Sequence, residues 1–428
     1  MPAKVKIIFN NDWMKLAVIG KGTSGTIAAA HLSSRLKEAK IDLYYSEDIA
    51  NIGVGEGGGP RLKQFLDDLG IDNQDFCSKT QATKKWGILF ENWGSRPNQS
   101  VHHFNPARER YSYHFDASQL HDLLLEKSKV DIHQGKVSSI QKTSEEISKP
   151  SLIFDGKKKV YDYIIDASGF LKCSFKDSSS KTDEALLIAN QACLVQIERR
   201  AVETYEYMVD EYNYDSLTLS KALLHGWLFV IPLQKRVSFG YIYNNEISNA
   251  ENIRSEIYSE IARFDPSFKI ISEKTLSFNS FTSSKFLDKF VFSIGNRAAF
   301  AEPLEATAIE FILRECDEIC ALLSSESIYS NVCPLTQQKI FNCRLKQEMQ
   351  RIALFIGWHY SNGSIHDTDF WRQSKSHYKY LKDNLIDKQI VLEFDQWLNT
   401  LTYTQVCPSS QFFGWSFSSF EEVANAIS

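Results

Sequence analysis

The 428-residue chain carries 48 Lys and Arg against 53 Asp and Glu, a formal net charge of −5. That balance argues against a basic nucleic-acid binder or a polybasic membrane-surface protein, and the length allows one large or two ordinary domains. Hydrophobic content of 43% is ordinary, while 28 Phe, 18 Tyr and 8 Trp suit a core and equally a planar cofactor or aromatic substrate.

The start, MPAKVKIIFNNDWMKLAVIG, has no long apolar stretch ending in a cleavage signal, so a cytoplasmic protein is expected. The most apolar later run, ALLIANQACLVQI, is too short and too polar to span a bilayer. KLAVIG reads as a buried strand, Thr26 to Lys37 as a helix and KIDLYY as a second strand. Between the first strand and the helix lies GKGTSG, the setting in which GxGxxG binds a dinucleotide pyrophosphate. Gly20 allows the turn and Gly22 the close phosphate approach. Thr23 and Ser24, ahead of the expected helix, are further candidate cofactor contacts, and Gly25 permits helix–strand packing. An acid ending the second strand would hold the ribose. Glu47 in LYYSED is the nearest candidate, with a solvated loop acid as the alternative.

IGVGEGGGP, Ile52 to Pro60, places five glycines, Gly53 and Gly55 among them, ahead of a helix. Such a turn fits backbone packed against something flat or anionic, or else a flexible loop. Pro60 starts that helix and Gly70 ends it, with Leu62, Phe65, Leu66 and Leu69 as its apolar face. ATKKWGILFENW, Ala82 to Trp93, is expected as one strand. Lys85 then shares a face with Gly87 and Leu89, while Lys84 points with Trp86 and Ile88. Gly87 would leave room for a ligand beside the Lys85 amine; a solvated edge lysine is the competing reading.

VYDYIIDASGF is another buried strand, and polar insertions are expected at KTSEEISKPS and SFKDSSSKTDEA. From Ala185 to Phe281 the chain is strand-rich and includes GWLFVIP, a core strand closed by Pro232. EPLEATAIEF sets Glu305 beside the small residues Ala306, Thr307 and Ala308. An apolar period follows through Ile309, Ile312, Leu313, Cys316, Ile319, Cys320 and Leu323. This reads as a helix whose unpaired N–H groups suit an anion, or whose acid simply favours the dipole. The C-terminal part is expected to be mainly helical. Eight cysteines include no CxxC pair, and Cys316 and Cys320 lie one helical turn apart, so reduced thiols are expected rather than a metal site.

Taken in order, these segments resemble the flavin-dependent halogenases, the group containing the tryptophan halogenases. GKGTSG matches the FAD fingerprint, and NIGVGE the glycine turn that follows it. ATKKWGILFENW is similar to the strand carrying the catalytic lysine, which falls on Lys85. GWLFVIP matches the WxWxIP signature at Trp227, Ile231 and Pro232. IGNRAAFAEPLEATAIEF resembles the segment with a second flavin contact, here Gly295 and Asn296, and the catalytic glutamate, which falls on Glu305. YHFDASQL, DYIIDASGF and FIGWHY…FW extend the likeness from about Lys15 to Trp371.

The resemblance implies an α/β fold, FAD-binding and Rossmann-like, of the flavin monooxygenase and halogenase type, with an intertwined, mainly helical substrate module. Residues 1–170, completed by 285–330, would form the FAD-binding module. Residues 171–284 would form a strand-rich substrate and tunnel module, and 331–428 its helical part. FAD used as FADH2, O2 and a halide ion would be needed, with a separate flavin reductase, since no second nucleotide motif is present for NAD(P)H. The substrate would be a small electron-rich aromatic molecule; no metal, nucleic acid or membrane is implied, and a homo-oligomer is compatible with the sequence.

The halide would rest on the N–H groups of Thr307 and Ala308, and the resulting hypohalous acid would travel to Lys85. Glu305 would orient that species and take the ring proton. Trp227, Phe229, Ile231 and Pro232 would keep substrate and flavin apart. The chain departs from the family at Ala306 for a serine, Ala308 for a glycine and Phe229 for the second tryptophan. The ribose acid falls near Tyr45, leaving Ser46 or Glu47. Ala308 is expected to restrict the backbone and add a methyl at the halide site, favouring bromide or iodide over chloride. The chain ends sooner than the tryptophan-specific enzymes, so a pocket for free tryptophan is not expected. A hydroxylating or epoxidising flavin monooxygenase and a catalytically silent FAD-binding homologue are the two other readings.

Overall fold

The computed structural model describes residues 13–48, 56–104, 110–142, 149–170, 185–200, 216–324, 332–402, 411–412 and 415–427. Gly53 and Gly55 lie outside them. A six-stranded sheet runs in the order Leu287–Asp288, Val291–Ser293, Tyr163–Asp166, Met14–Ile19, Ala39–Tyr45, Asp131–Gln134. All neighbours except the first pair are parallel. Parallel neighbours require a crossover, and the helix Thr23–Arg35 supplies the one between the first two strands of the chain. It starts three residues before the expected Thr26. Thr23, Ser24 and Gly25 add nothing to an apolar period, which therefore misses the first turn.

The second sheet has seven strands, ordered Ile270–Ser277, Gln191–Glu198, Arg236–Tyr243, Gly226–Pro232, Leu217–Leu223, Gly87–Glu91, Gln99–His103. Gly226–Pro232 is buried along its whole length. Trp227, Phe229 and Ile231 join the main core, while Leu228 and Val230 join a second core with the helix Ala250–Phe264. Burial on both faces explains an unbroken apolar run where a one-sided strand would alternate. Gly240 pairs with Phe229, and a Cβ there would clash with the phenyl ring.

Ala82–Trp93 is not one strand. Thr83–Lys85 joins a small sheet with Ser112–Phe115 and Glu56–Gly57, whereas Gly87–Glu91 enters the seven-stranded sheet. Trp86 is the corner: its N–H donates to the Ser216 carbonyl at 2.7 Å and its carbonyl accepts from Phe104 at 3.0 Å. A Cβ at Gly87 would clash with the His102 carbonyl, so this glycine serves strand packing. The space beside the Lys85 amine is opened instead by Gly57, where a Cβ would lie 3.1 Å from Nζ.

The helices Thr307–Leu323, Pro334–Asn362, Asp369–Tyr380 and Lys388–Thr402 make the carboxyl-terminal part largely helical, and Phe417–Ile427 packs on the Gln99–His103 edge strand. Cys316 is buried and Cys320 half-buried on the first of these. Among the described residues no group of His, Cys, Asp and Glu could hold a metal, and no helix is long and apolar enough to cross a membrane.

Candidate active site

Strand alternation in the small sheet separates two adjacent lysines. Lys84 is exposed, its ammonium 4.7 Å from the Tyr111 ring centre, whereas Lys85 is 0% exposed. Lys85 pairs with Ser112, and His114 pairs with both Thr83 and Gly57, so these residues meet around one amine. Nζ lies 5.4 Å from the Phe104 ring centre and has no hydrogen-bond partner among the described residues. Burial pushes the amine down to about 7, against the opposing pull of Glu305 and Glu310. Thr83 ties this strand to the buried wall strand, donating its hydroxyl to the Pro232 carbonyl at 2.7 Å.

Glu305 precedes the helix Thr307–Leu323 with a left-handed backbone, φ 66°, and Ala306 follows at φ 53°. Two consecutive non-glycine residues in this region cost about 1–2 kcal/mol each. The turn carries the Glu305 carboxyl into the interior, between two buried histidines. His102 Nδ1 donates to Oε2 at 2.7 Å. His359 Nε2 lies 3.2 Å from Oε1 in a geometry short of a hydrogen bond, while His359 Nδ1 donates to the Phe355 carbonyl at 2.9 Å. Burial opposes ionisation of Glu305, but His102 and His359 outweigh it and hold the carboxyl down at about 2. Oε1 remains without a hydrogen-bond donor among the described residues.

Below this carboxylate runs a second buried chain. Trp227 Nε1 donates to the Tyr360 hydroxyl at 2.8 Å, and that hydroxyl donates to Glu302. Burial raises the Glu302 carboxyl to about 8. Trp227 thus has a polar task besides walling the core, whereas Phe229 and Ile231 are apolar wall alone.

The expected backbone restriction at Ala308 is not present. Ala308 sits in regular helix without a positive φ, and the left-handed residues are Glu305 and Ala306. Ala308 is exposed and Thr307 buried, and Ala306, the N-cap residue, contributes no side-chain cap.

At the other end of the site, Gly20 has φ +112°, and a Cβ there would lie 2.5 Å from the Ala167 carbonyl oxygen. A Cβ at Gly25 would clash with the Gly20 carbonyl, whereas one at Gly22 meets nothing within 4 Å. The helix beginning at Thr23 has no side-chain cap and no acid in its first turn. Two sterically required glycines around an open one, before a bare helix terminus, fit an approaching pyrophosphate. Gly295 adjoins this turn, a Cβ there falling 2.5 Å from that of Ser24, with Asn296 half-buried beside it. The Gly295 N–H donates to Glu315 at 2.8 Å. Thr23 meets Glu56 Oε1 and His121 Nε2, each at 3.1 Å. Glu47 is exposed beyond the second strand.

The structure thus brings Lys85 and Glu305 into one electrostatic neighbourhood, and the Gly20–Gly25 turn against Gly295. Sequence reasoning missed His102, His359, Tyr360, Glu302 and Gly57. VHHF and FIGWHY held the signal, because His359 lies one helical turn after Phe355. Nothing local, however, links His102 to a residue 203 positions away.

The family model described as tryptophan halogenase matches residues 15–110 and 106–389. The tryptophan 7-halogenase RebH of Lentzea aerocolonigenes is 24% identical, over 84% of this chain and 78% of that protein. The tryptophan 6-halogenase ThaL of Streptomyces albogriseolus is 22% identical, over 89% and 82%. Among solved structures, a tryptophan halogenase from Shewanella frigidimarina aligns with a TM-score of 0.78 at 21% identity, covering 97% of this chain and 89% of that one. The flavin-dependent halogenase BrvH from Brevundimonas sp. BAL3 aligns at 0.76 and 19% identity, covering 96% and 90%.

Proposed function

The chain belongs to the tryptophan halogenase family of flavin-dependent enzymes, and from that premise we propose that it halogenates an electron-rich aromatic small molecule, using bromide or iodide in preference to chloride. The observation carrying this reading is a pair of buried polar atoms without hydrogen-bond partners among the described residues, Lys85 Nζ and Glu305 Oε1. Orphaned buried groups are costly, so a site that leaves the Lys85 amine bare and holds Glu305 Oε1 only by its ion pair with His359 is suited to a polar species that arrives during the reaction. The Gly20–Gly25 and Gly295 turns would hold FAD. With O2, its reduced form would supply the two-electron oxidation of halide to hypohalous acid.

Lys85 receives that oxidant, burial having brought its value to about 7 so that amine and ammonium forms are both accessible near neutral pH. Glu305 orients it from the other side. As the ring carbon–halogen bond forms, the halogen–oxygen bond breaks, and the leaving oxygen takes a proton from the ammonium form of Lys85 to depart as water. The ring proton then passes to Glu305. A halogenated ring cation is a strong acid, so even a carboxyl held at about 2 is a sufficient base. Trp227, Phe229, Ile231 and Pro232 form the wall that excludes substrate from the cofactor side. The halide would rest on the N–H groups of Thr307 and Ala308, left free because Ala306 offers no side-chain cap. The methyl of Ala308 adds apolar surface at that helix start and handicaps chloride, the most strongly hydrated of the three halides. A separate flavin reductase supplies the reduced cofactor.

The test supplies purified protein with FAD, a flavin reductase, NADH and an aromatic library, with chloride, bromide or iodide in parallel, read by product mass. Halogenated products are expected. Oxygenated products formed equally without halide would replace this reading by a monooxygenase, and FAD binding without any product by a silent homologue.

A further inference from the structure

Lys85 has a second carboxylate neighbour that the reaction above does not use. Glu310, in the first turns of the helix Thr307–Leu323, reaches the amino end of the helix Pro60–Asp68. There Oε1 accepts the Arg61 N–H at 2.9 Å and Oε2 lies 3.7 Å from Arg61 Nε. The N-cap of that helix is Gly59, which has no side chain to cap with, and a Cβ there would clash with the Glu310 carboxyl. Two residues earlier, a Cβ at Gly57 would crowd Lys85 Nζ at 3.1 Å. One short glycine run therefore seats both side chains. Glu305 and Glu310 are the two carboxylates whose charge acts on the amine.

We propose that Glu310 is a positioning residue for Lys85: besides capping the Pro60–Asp68 helix, its carboxylate sets how tightly the buried amine holds its proton, and so the pH range in which Lys85 can receive the oxidant. Only the last clause rests on the function proposed above. The other groups facing the pair are known. His114 and the Phe104 ring stand beside Lys85. Arg61 stands beside Glu310 and is bound to Asp317, which pairs with His31 at 3.0 Å. Glu310 itself acts on the amine by charge and not by contact, since Nζ has no hydrogen-bond partner among the described residues. Burial raises the Glu310 carboxyl to about 7, against Arg61 and Lys85, so its charge changes in the same range as that of the amine.

The test needs no flavin, halide or turnover. A buried lysine whose folded-state value lies near 7, against about 10.4 unfolded, is penalised fully at low pH, and stability recovers as pH rises between those values. The difference in unfolding free energy between the wild type and Lys85→Met, measured against pH, reports this rise together with the coupled titration of Glu310, which the Glu310→Gln background removes. In the Glu310→Gln background, where an oxygen still accepts from Arg61, the onset of the rise should move down by about one pH unit. Glu310→Met should move it equally while also lowering stability, and Glu310→Asp should leave it near the wild-type position. The limb of the halogenation pH profile belonging to Lys85 should shift down with it, whether the amine works as acceptor or donor. An unmoved onset in both neutral variants overturns the proposal. A moved onset in a protein that never halogenates leaves it standing and removes the function instead.

Discussion

Of two neighbouring lysines, Lys85 faces inward and Lys84 outward, and single substitutions separate their roles. Lys85→Ala is expected to eliminate ring halogenation while FAD binding persists, and Lys84→Ala to change little, because Lys84 is exposed. The reverse outcome, read from product yield and flavin absorbance, would mean the functional side chain is on the other face. Glu305→Gln keeps size and loses the charge, so product formation should fall by about two orders of magnitude. Full activity would reduce Glu305 to a residue at a helix start. Ala306 offers a stability test. Glycine adopts its φ of 53° freely, so Ala306→Gly should stabilise the fold by roughly 0.5–1 kcal/mol in denaturant unfolding. A loss would show that the turn is held at no backbone cost. That the two lysines face opposite ways was legible from strand period; which one turns inward was not, since the glycine beside Nζ is Gly57 and not Gly87. The histidines around Glu305 were not, since their meeting depends on packing between distant segments.

At the scale of elements, the Gly20–Gly25 turn makes the cleanest case. No atom lies within 4 Å of a Cβ built at Gly22, so Gly22→Val should fold normally. It should nevertheless abolish FAD binding by filling the approach to the helix terminus. Unchanged affinity in a flavin titration would make the turn decorative. The turn could be read from sequence because strand, glycines and helix are contiguous. Ala82–Trp93 shows where that reading fails. Its residues suit one long strand, but two sheets compete for it, and the corner at Trp86 is fixed by Ser216 and Phe104. The glycine opening space for Lys85 is thus Gly57, brought in by sheet pairing, rather than Gly87 two residues away. The backbone restriction expected at Ala308 was displaced similarly: the left-handed residues are Glu305 and Ala306, because the helix begins at Thr307.

At the scale of the whole molecule, the six-stranded sheet gathers strands from residues 14–45, 131–134, 163–166 and 287–293. The seven-stranded sheet takes all of its own from between them, residues 87–103 and 191–277. That interleaving explains why no linker composition divides the sequence, and why the order of motifs revealed more than any boundary. It also places Lys85 and Glu305 on segments that neither sheet could align alone. With competing halides at equal concentration, bromide or iodide product should exceed chloride product; a clear chloride excess would remove the halide preference and leave the halogenase assignment intact. The most direct test of the central claim, that Lys85 delivers oxidised halide to the substrate, is a partition experiment. Wild type and Lys85→Ala are each supplied with reduced FAD, O2, bromide, an aromatic substrate and a freely diffusing halogen acceptor, and bromine is followed by mass in both compounds. The wild type should brominate the substrate despite the acceptor, whereas Lys85→Ala should leave bromine only in the acceptor. Substrate bromination by Lys85→Ala at the wild-type level would contradict that claim.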